Sequence, residues 1–161
     1  APALTVLGSV LRNGYLHTAI REKGGAYGAG ALQDMNTGTF KFFSYRDPNI
    51  SETFNAFGNS IKWALKSITK EKLDEGILNV ISSIDKPSSP ASEALSDFNS
   101  NKNGFTQNKR KIFRENVLAT SIDKLVSVTE KYLCNQPNRS VVSNKNSEDL
   151  LNSLGFELNV I

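Results

Sequence analysis

The sequence predicts an α+β fold, in which helices pack on one face of a mostly antiparallel sheet. Apolar residues recur at helical spacing along most of the chain, whereas one aromatic-rich segment alternates and follows a turn signal. The 161 residues fit a single domain, and 39% hydrophobic and 22% charged residues are typical of a globular protein. No apolar run approaches the roughly 18 residues of a membrane span, so we expect no membrane partner.

The first helix is predicted to begin at Pro2, because proline's missing N–H costs nothing in a first turn. An interruption is predicted at Asn13-Gly14, and an end at Gly24-Gly25, where two residues can take positive φ. The apolar positions at helical spacing are Leu4, Leu7, Val10 and Leu11, then Tyr15, Leu16, Ala19 and Ile20.

A β-hairpin is predicted over residues 26–46, with its turn at Asn36-Thr37-Gly38. In the second strand, alternation points Phe40 and Phe42 to one face and Phe43 and Tyr45 to the other. Since both faces are apolar, we expect this strand to be central in the sheet.

Five further helices are predicted from their N-terminal signals. Asn49 with Glu52 resembles a capping box, and an apolar stripe follows it. The other starts are Thr69, Ser89-Pro90, Thr106 and Thr120 with Asp123. The stripe after Asn49 comprises Phe54, Phe57, Ile61, Ala64, Leu65 and Ile68, and the stripe after Thr69 comprises Leu73, Ile77, Val80, Ile81 and Ile84. Short strands are predicted at residues 139–143 and 155–160, flanking a small helix around Leu150 and Leu151.

Charge and ligand counts exclude several classes of function. The net charge is +3, too small a surplus to indicate a nucleic-acid partner. His17 is the only histidine and Cys134 the only cysteine, which leaves too few ligands for a zinc site in this chain alone.

Isolated polar residues favour structural over catalytic roles. We expect His17 to be a packed or surface residue and Cys134 a buried, inert thiol. Residues 109–111 (KRK) with Arg114 predict a solvated helix face rather than a nucleic-acid site. Asp74, Glu75 and Asp85 have no neighbouring histidine in sequence and are predicted to be surface or capping charges.

The glycine-rich segment at residues 14–31 is the part of the sequence that most strongly indicates a functional site. A phosphate cradle is disfavoured, because its glycines precede a helix N-terminus, whereas these follow a helix C-terminus. A glycine C-cap that leads into a strand explains the glycines alone. Arg21 and Tyr27 bracket the loop, however, and a guanidinium and a phenol could both donate to one carbonyl or oxyanion. Both interpretations stay open on the residues alone.

Several motifs in this order resemble the last domain of presequence-degrading peptidases in the pitrilysin/insulinase superfamily of zinc metallopeptidases. They are residues 14–18 (GYLHT), 20–28 (IREKGGAYG) and 43–49 (FSYRDPN), with Trp63, residues 73–75 (LDE), Ile84-Asp85, Pro87, Pro90, Arg114-Glu115 and Val117-Leu118. The resemblance covers most of the chain.

The resemblance implies two halves, each of two related α+β domains, that enclose a chamber in which unfolded peptides are cut. The zinc is expected on an inverted His-x-x-Glu-His motif in the first domain, within the N-terminal half, and this chain lacks that motif. The last domain contributes an arginine and a tyrosine, which map onto Arg21 and Tyr27. Arg21 would anchor the substrate backbone, and Tyr27 would also donate to the scissile carbonyl as it becomes tetrahedral.

The resemblance also sets expectations about the parent protein. Residues 1–161 would be one domain that begins inside a helix, an N-terminally truncated last domain of a four-domain peptidase, inactive alone. Its partners would be the peptide substrate and the zinc-bearing N-terminal half. Relatives of this kind reside in mitochondria or other organelles, or in the bacterial cytoplasm. The alternative is a non-catalytic structural subunit with the same fold, which would have no need for Arg21 and Tyr27.

Overall fold

The computed structural model describes residues 1–35 and 37–159, and within them the fold is α+β, as predicted. Seven α-helices and one π-helix accompany a two-stranded antiparallel sheet in this part of the chain. The helices are α1 (Pro2–Leu11), the π-helix (Arg12–Glu22), α2 (Ile50–Lys66), α3 (Lys70–Ile84), α4 (Pro90–Lys102), α5 (Gln107–Leu118), α6 (Ile122–Leu133) and α7 (Glu148–Ser153), and the strands are β1 (Gly28–Asp34) and β2 (Thr39–Tyr45).

The first helix is continuous, and the predicted interruption at Asn13-Gly14 is wrong. At this point α1 passes into the π-helix, whose closing Lys23 N–H donates to the Thr18 carbonyl, five residues back. The spacing of the buried leucines gives the reason. Leu16 follows Leu11 by five residues. In an α-helix this spacing would rotate Leu16 about 140° around the helix axis from Leu11, away from the buried face. The wider turn keeps both leucines fully buried.

Gly14 is the place where α2 approaches the π-helix. A Cβ added at Gly14 would lie 2.7 Å from the Trp63 ring of α2, so only glycine leaves room for that ring. The Trp63 ring also contacts Tyr15, with ring centroids 5.9 Å apart. The glycine therefore allows close packing between two helices rather than ending one of them.

The core is built around α1, which packs against β1, α3, α5 and α6. Its inner positions continue into the π-helix, and all are at most 1% exposed. These residues are Val6, Leu7, Val10, Leu11, Leu16 and Ile20. None of the helices in residues 1–35 and 37–159 combines the length and the apolar character needed to cross a bilayer.

The hairpin is confirmed, and Asn36 of its predicted turn lies outside the described residues. Gly28 pairs with Tyr45 and Asp34 with Thr39, in antiparallel register. Ala29 and Ala31 of β1 are buried on the face that they share with Phe42, whereas Phe43 and Tyr45 are exposed on the other. The helices thus cover one face of the sheet.

The expected central position of β2 is wrong within the described residues, because β2 pairs only with β1 there. Its two apolar faces have different surroundings. Phe42 stacks on Phe57 of α2 at a centroid distance of 5.3 Å, whereas Phe43 is 38% and Tyr45 56% exposed. The second apolar face of β2 therefore lies at the surface of this chain.

The buried face of α2 differs from the apolar stripe predicted for this helix. The buried residues are small, namely Thr53, Ala56, Ser60 and Ala64, and of the predicted stripe only Ala64 and the post-helical Ile68 are buried. Small side chains let α2 lie close to the π-helix and α6. The larger aromatic residues then flank this contact line.

Three of the predicted helix starts are confirmed by the caps themselves. The hydroxyl oxygens of Thr69, Ser89 and Thr106 each accept a hydrogen bond from the N–H three residues later. For α6 the cap is Ser121 rather than Thr120. The Thr120 hydroxyl donates instead to the Asn116 carbonyl at the end of α5, so it is not free to cap the next helix.

The two short strands predicted near the C-terminus are not formed in residues 139–143 and 155–159, and residue 160 lies outside the described part. The small helix between them is present as α7. Arg139 lies over the rings of Phe54 and Phe156 at 5.7 and 4.9 Å from their centroids. These contacts hold the C-terminal segment against α2 instead of in the sheet.

The ion pair between Asp85 and Arg114 links α3 to α5. The guanidinium donates from Nε at 3.0 Å and from a terminal nitrogen at 2.7 Å to one carboxylate oxygen, and from Nε at 3.1 Å to the other. The hydrogen bond from Arg114 lowers the pKa of the Asp85 carboxyl below its usual value.

We expect the contribution of this pair to stability to disappear in acid. A carboxyl with a depressed folded-state pKa stabilises the fold above its unfolded pKa of about 3.9 and loses that effect as the pH falls through the folded value. In thermal melts at neutral pH, Asp85→Asn should therefore have a lower Tm than wild type. This difference in Tm should shrink below about pH 4. Arg114→Lys, which keeps the charge but not the fork, should lose part of the effect. A Tm difference that is unchanged by acid would contradict this role.

Candidate functional site

The loop between the π-helix and β1 is fixed by backbone hydrogen bonds. The Gly25 N–H donates to the Arg21 carbonyl at 3.0 Å, and the Ala26 N–H donates to the Ile20 carbonyl at 3.1 Å. Gly25 has a φ of 75°, and a Cβ on Gly24 would lie 2.6 Å from the Ile20 oxygen. The glycine C-cap is thus present, and it satisfies the carbonyls at the helix end.

A second segment, Asp47-Pro48-Asn49, supports this loop from the side of β2. The Asn49 side-chain amide donates to the Gly24 carbonyl at 2.6 Å. The Asp47 carboxylate accepts from the Asn49 N–H at 2.9 Å and from the Thr53 hydroxyl at 2.5 Å. The loop is therefore held both by the π-helix that precedes it and by the segment before α2, which follows β2 in the chain.

The predicted capping box at Asn49 and Glu52 is wrong in its hydrogen bonding. Asn49 is the N-cap residue of α2, but its side chain makes no cap hydrogen bond. The reason is that its amide is engaged with Gly24 across the loop, and Asp47 supplies the carboxylate at this helix start.

Arg21 and Tyr27 lie at the two ends of this loop. Arg21 is exposed in the last turn of the π-helix, and Tyr27 is 67% exposed immediately before β1. Neither side chain makes a hydrogen bond or an ion pair within the described part of the chain, so each is free to donate to a third molecule. The structure places them on the same fixed loop but does not bring them into contact.

Tyr27 does contact two residues at the end of β2. Its N–H donates to the Arg46 carbonyl at 3.2 Å, which extends the hairpin ladder by one pair. Its ring meets the Tyr45 ring edge to face, with centroids 6.1 Å apart and planes at 79°. The Arg46 guanidinium lies 5.6 Å from the Tyr27 centroid and 5.3 Å from that of Tyr45. We call these three residues the tyrosine–arginine cluster.

Sequence reasoning did not single out Tyr45 and Arg46 as site residues. Both lie in the segment FSYRDPN, where they look like the end of a strand and the start of a turn. The hairpin register, which pairs Gly28 with Tyr45, is what brings them to Tyr27. Counting back from the turn glycine would have suggested that pairing.

The surroundings of the loop are positively charged. Arg21, Lys23 and Arg46 are exposed and form no ion pair within the described residues. The Glu22 carboxylate faces the imidazole of His17, which lies five residues earlier on the π-helix. The distance from the carboxylate to His17 Nδ1 is 3.2 Å. The loop thus presents several hydrogen-bond donors suited to carbonyl or carboxylate oxygens.

Other residues considered from the sequence lie outside this site. Cys134 is exposed rather than buried, because it ends α6, and its thiol donates to the Thr129 carbonyl. In the basic segment of α5, Arg110 pairs with Asp97 and Arg114 with Asp85, so these guanidinium groups connect helices. No group of three or more potential metal ligands is present in residues 1–35 and 37–159.

Comparison with known proteins identifies the family. Residues 1–143 match the family model of the PreP C-terminal domain. The mitochondrial presequence protease of Mus musculus is 39% identical over 132 residues, which make up 81% of this chain and 12% of the mouse protein. The mitochondrial presequence protease of Saccharomyces cerevisiae is 37% identical over 142 residues, 87% of this chain and 14% of the yeast protein.

The matched region is a small part of each relative, since the chain spans 12% of the mouse protein and 14% of the yeast protein. Nearly the whole described chain, including the loop and the hairpin, falls inside the family match. The chain therefore belongs to the presequence protease (PreP) C-terminal domain family.

Proposed function

We propose that this chain is the C-terminal part of a zinc metalloendopeptidase that degrades presequence-like or other unfolded peptides. In this proposal it supplies donors to a zinc site on another domain. The observation that carries the proposal is the placement of Arg21 and Tyr27, two exposed donors at the ends of a hydrogen-bonded loop. The relatives are named mitochondrial presequence proteases, so we propose the mitochondrial matrix as the compartment.

Arg21 is proposed to hold the peptide backbone before reaction. A guanidinium carries five N–H donors in a fixed fork and stays charged at any physiological pH. Arg21 is exposed and has no carboxylate partner in the described residues, so its donors are available to carbonyl oxygens of an extended peptide. This contact exists in the ground state and therefore contributes to substrate binding.

Tyr27 is proposed to donate its phenolic proton in a hydrogen bond to the oxygen of the scissile carbonyl. As that carbon becomes tetrahedral, the oxygen gains negative charge and the hydrogen bond strengthens. The interaction is thus greater in the transition state than in the ground state, which is the condition for raising kcat.

The side chains of this chain do not fit a resident zinc ion, because the described residues hold no cluster of potential ligands. In this proposal the metal belongs to the zinc-bearing N-terminal half of the parent protein. The present chain acts through Arg21 and Tyr27 alone, and as an isolated fragment it should not cleave peptides.

Arg21→Ala in the full-length protease tests the proposal. We expect KM for a presequence-like peptide to rise about tenfold or more, the effect of losing a charge-assisted hydrogen bond, together with a smaller fall in kcat. Initial rates at limiting and saturating peptide separate the two constants. Arg139→Ala, which removes an exposed arginine from the C-terminal segment, is the matched control and should keep both constants. Unchanged kinetics in both Arg21→Ala and Tyr27→Phe would reject the proposal in favour of a structural subunit.

A further inference from the structure

Arg46 has an unusual backbone for its residue type. Its φ is 48°, in the left-handed region, and it is the one non-glycine residue with positive φ in residues 1–35 and 37–159. Glycine would adopt this conformation without steric cost, whereas a long side chain is rarely found there. Strain of this kind persists where the surroundings fix it, and it is concentrated at functional sites.

The left-handed turn at Arg46 directs its side chain. In a regular strand, Tyr45 and Arg46 would point to opposite faces of the sheet. Here the guanidinium lies 5.3 Å from the centroid of the Tyr45 ring, so the alternation ends at Arg46 and its side chain folds back over its neighbour. The same backbone conformation places the guanidinium 5.6 Å from the centroid of the Tyr27 ring.

Tyr27 has few other restraints. It is 67% exposed, and its aromatic and cation–π contacts in the described residues are those with Tyr45 and Arg46. Its backbone is bound to Arg46 as well, through the N–H that donates to the Arg46 carbonyl. One residue therefore restrains both the backbone and the ring of Tyr27.

The geometry points to Arg46 as a positioning residue for Tyr27, an inference that rests on the proposed role of Tyr27 as a donor. The guanidinium lies against both tyrosine rings through cation–π contacts and limits the orientations of the Tyr27 ring. A donor that is already oriented does not have to be ordered when the transition state forms. Arg46 acts through Tyr27 and does not itself touch the reacting atoms.

A double-mutant cycle in the full-length protease tests this inference, with kcat and KM measured on a presequence-like peptide. Arg46→Gln should lower kcat about five- to tenfold, the size of one or two cation–π contacts, with little change in KM. Glutamine is subject to a similar backbone strain at this φ, so the comparison isolates the guanidinium. Arg46→Lys keeps a cation and should recover part of the loss.

The decisive measurement is Arg46→Gln in the Tyr27→Phe background. If Arg46 only orients the Tyr27 hydroxyl, its replacement should change kcat by no more than about twofold once that hydroxyl is absent. Arg139→Gln is the matched control, because Arg139 also lies over two aromatic rings, those of Phe54 and Phe156. It should leave kcat within about twofold of wild type.

Three results would overturn the inference: an unchanged kcat in Arg46→Gln, a loss that is the same in both backgrounds, or an effect on KM alone. If Arg46→Gln does not fold, Arg46→Lys in both backgrounds decides the same question. The proposed donor role of Tyr27 fails separately, and takes this inference with it, if Tyr27→Phe by itself keeps the wild-type kcat/KM. A large effect of Tyr27→Phe together with an additive effect of Arg46→Gln would reject only the role of Arg46.

Discussion

Tyr27→Phe in the full-length protease is expected to lower kcat by about 10² to 10³, the usual cost of removing one donor to a developing oxyanion. The substitution removes a single hydroxyl and keeps the ring, so the contacts with Tyr45 and Arg46 remain. Because the hydroxyl makes no hydrogen bond within the described residues, the fold loses no internal partner. KM should change much less than kcat, since the interaction strengthens only as the carbonyl becomes tetrahedral.

Steady-state cleavage of a presequence-like peptide, with zinc occupancy checked in each preparation, measures this effect. Tyr132→Phe is a suitable control, because Tyr132 is also an exposed tyrosine with a cation over its ring, in this case Lys131. The control should match wild type in both constants. If Tyr27→Phe also retains full kcat/KM, the donor role of Tyr27 is wrong.

Local features of the fold could be read from the sequence because their causes are local. A hydroxyl at Thr69, Ser89 or Thr106 needs only the N–H three residues later to cap a helix, and all three caps are present. The two-residue alternation of the hairpin is equally local.

Features that depend on distant contacts could not be read in the same way. The five-residue step from Leu11 to Leu16 looks like a break until the core is known to lie beneath both leucines. Gly14 looks like a helix breaker until Trp63 is seen against it. In both cases tertiary packing overrode local propensity.

The same distinction between local and distant causes applies to the residues of the candidate site. Arg21 and Tyr27 could be named from the sequence because they bracket one glycine-rich loop. Arg46 could not, since its contact with Tyr27 requires both the hairpin register and a left-handed φ at an arginine. The support from Asn49 was missed for a related reason, because its amide bonds to Gly24, 25 residues earlier in the chain.

The two apolar faces of β2 provide the largest expected effect on stability. Phe42 lies on the covered face, where its ring meets Phe57 at 5.3 Å and Phe40 at 5.5 Å between centroids. Phe43, the next residue, lies on the opposite face and is 38% exposed. The pair thus offers the same chemical change, phenylalanine to alanine, in two different environments.

Phe42→Ala should lower the free energy of unfolding by about 2–3 kcal/mol, somewhat less than the loss at a fully buried phenylalanine, because the ring is only partly buried. Phe43→Ala should cost less than about 1 kcal/mol, since much of its ring is already in contact with water. For a chain of this length, the first loss corresponds to a fall in Tm of roughly 5–10 °C, which thermal melts of the two variants beside wild type would resolve. Equal losses in the two variants would mean that the exposed face of β2 is covered as well, and that the packing of Phe42 on α2 does not distinguish the two sides of the sheet.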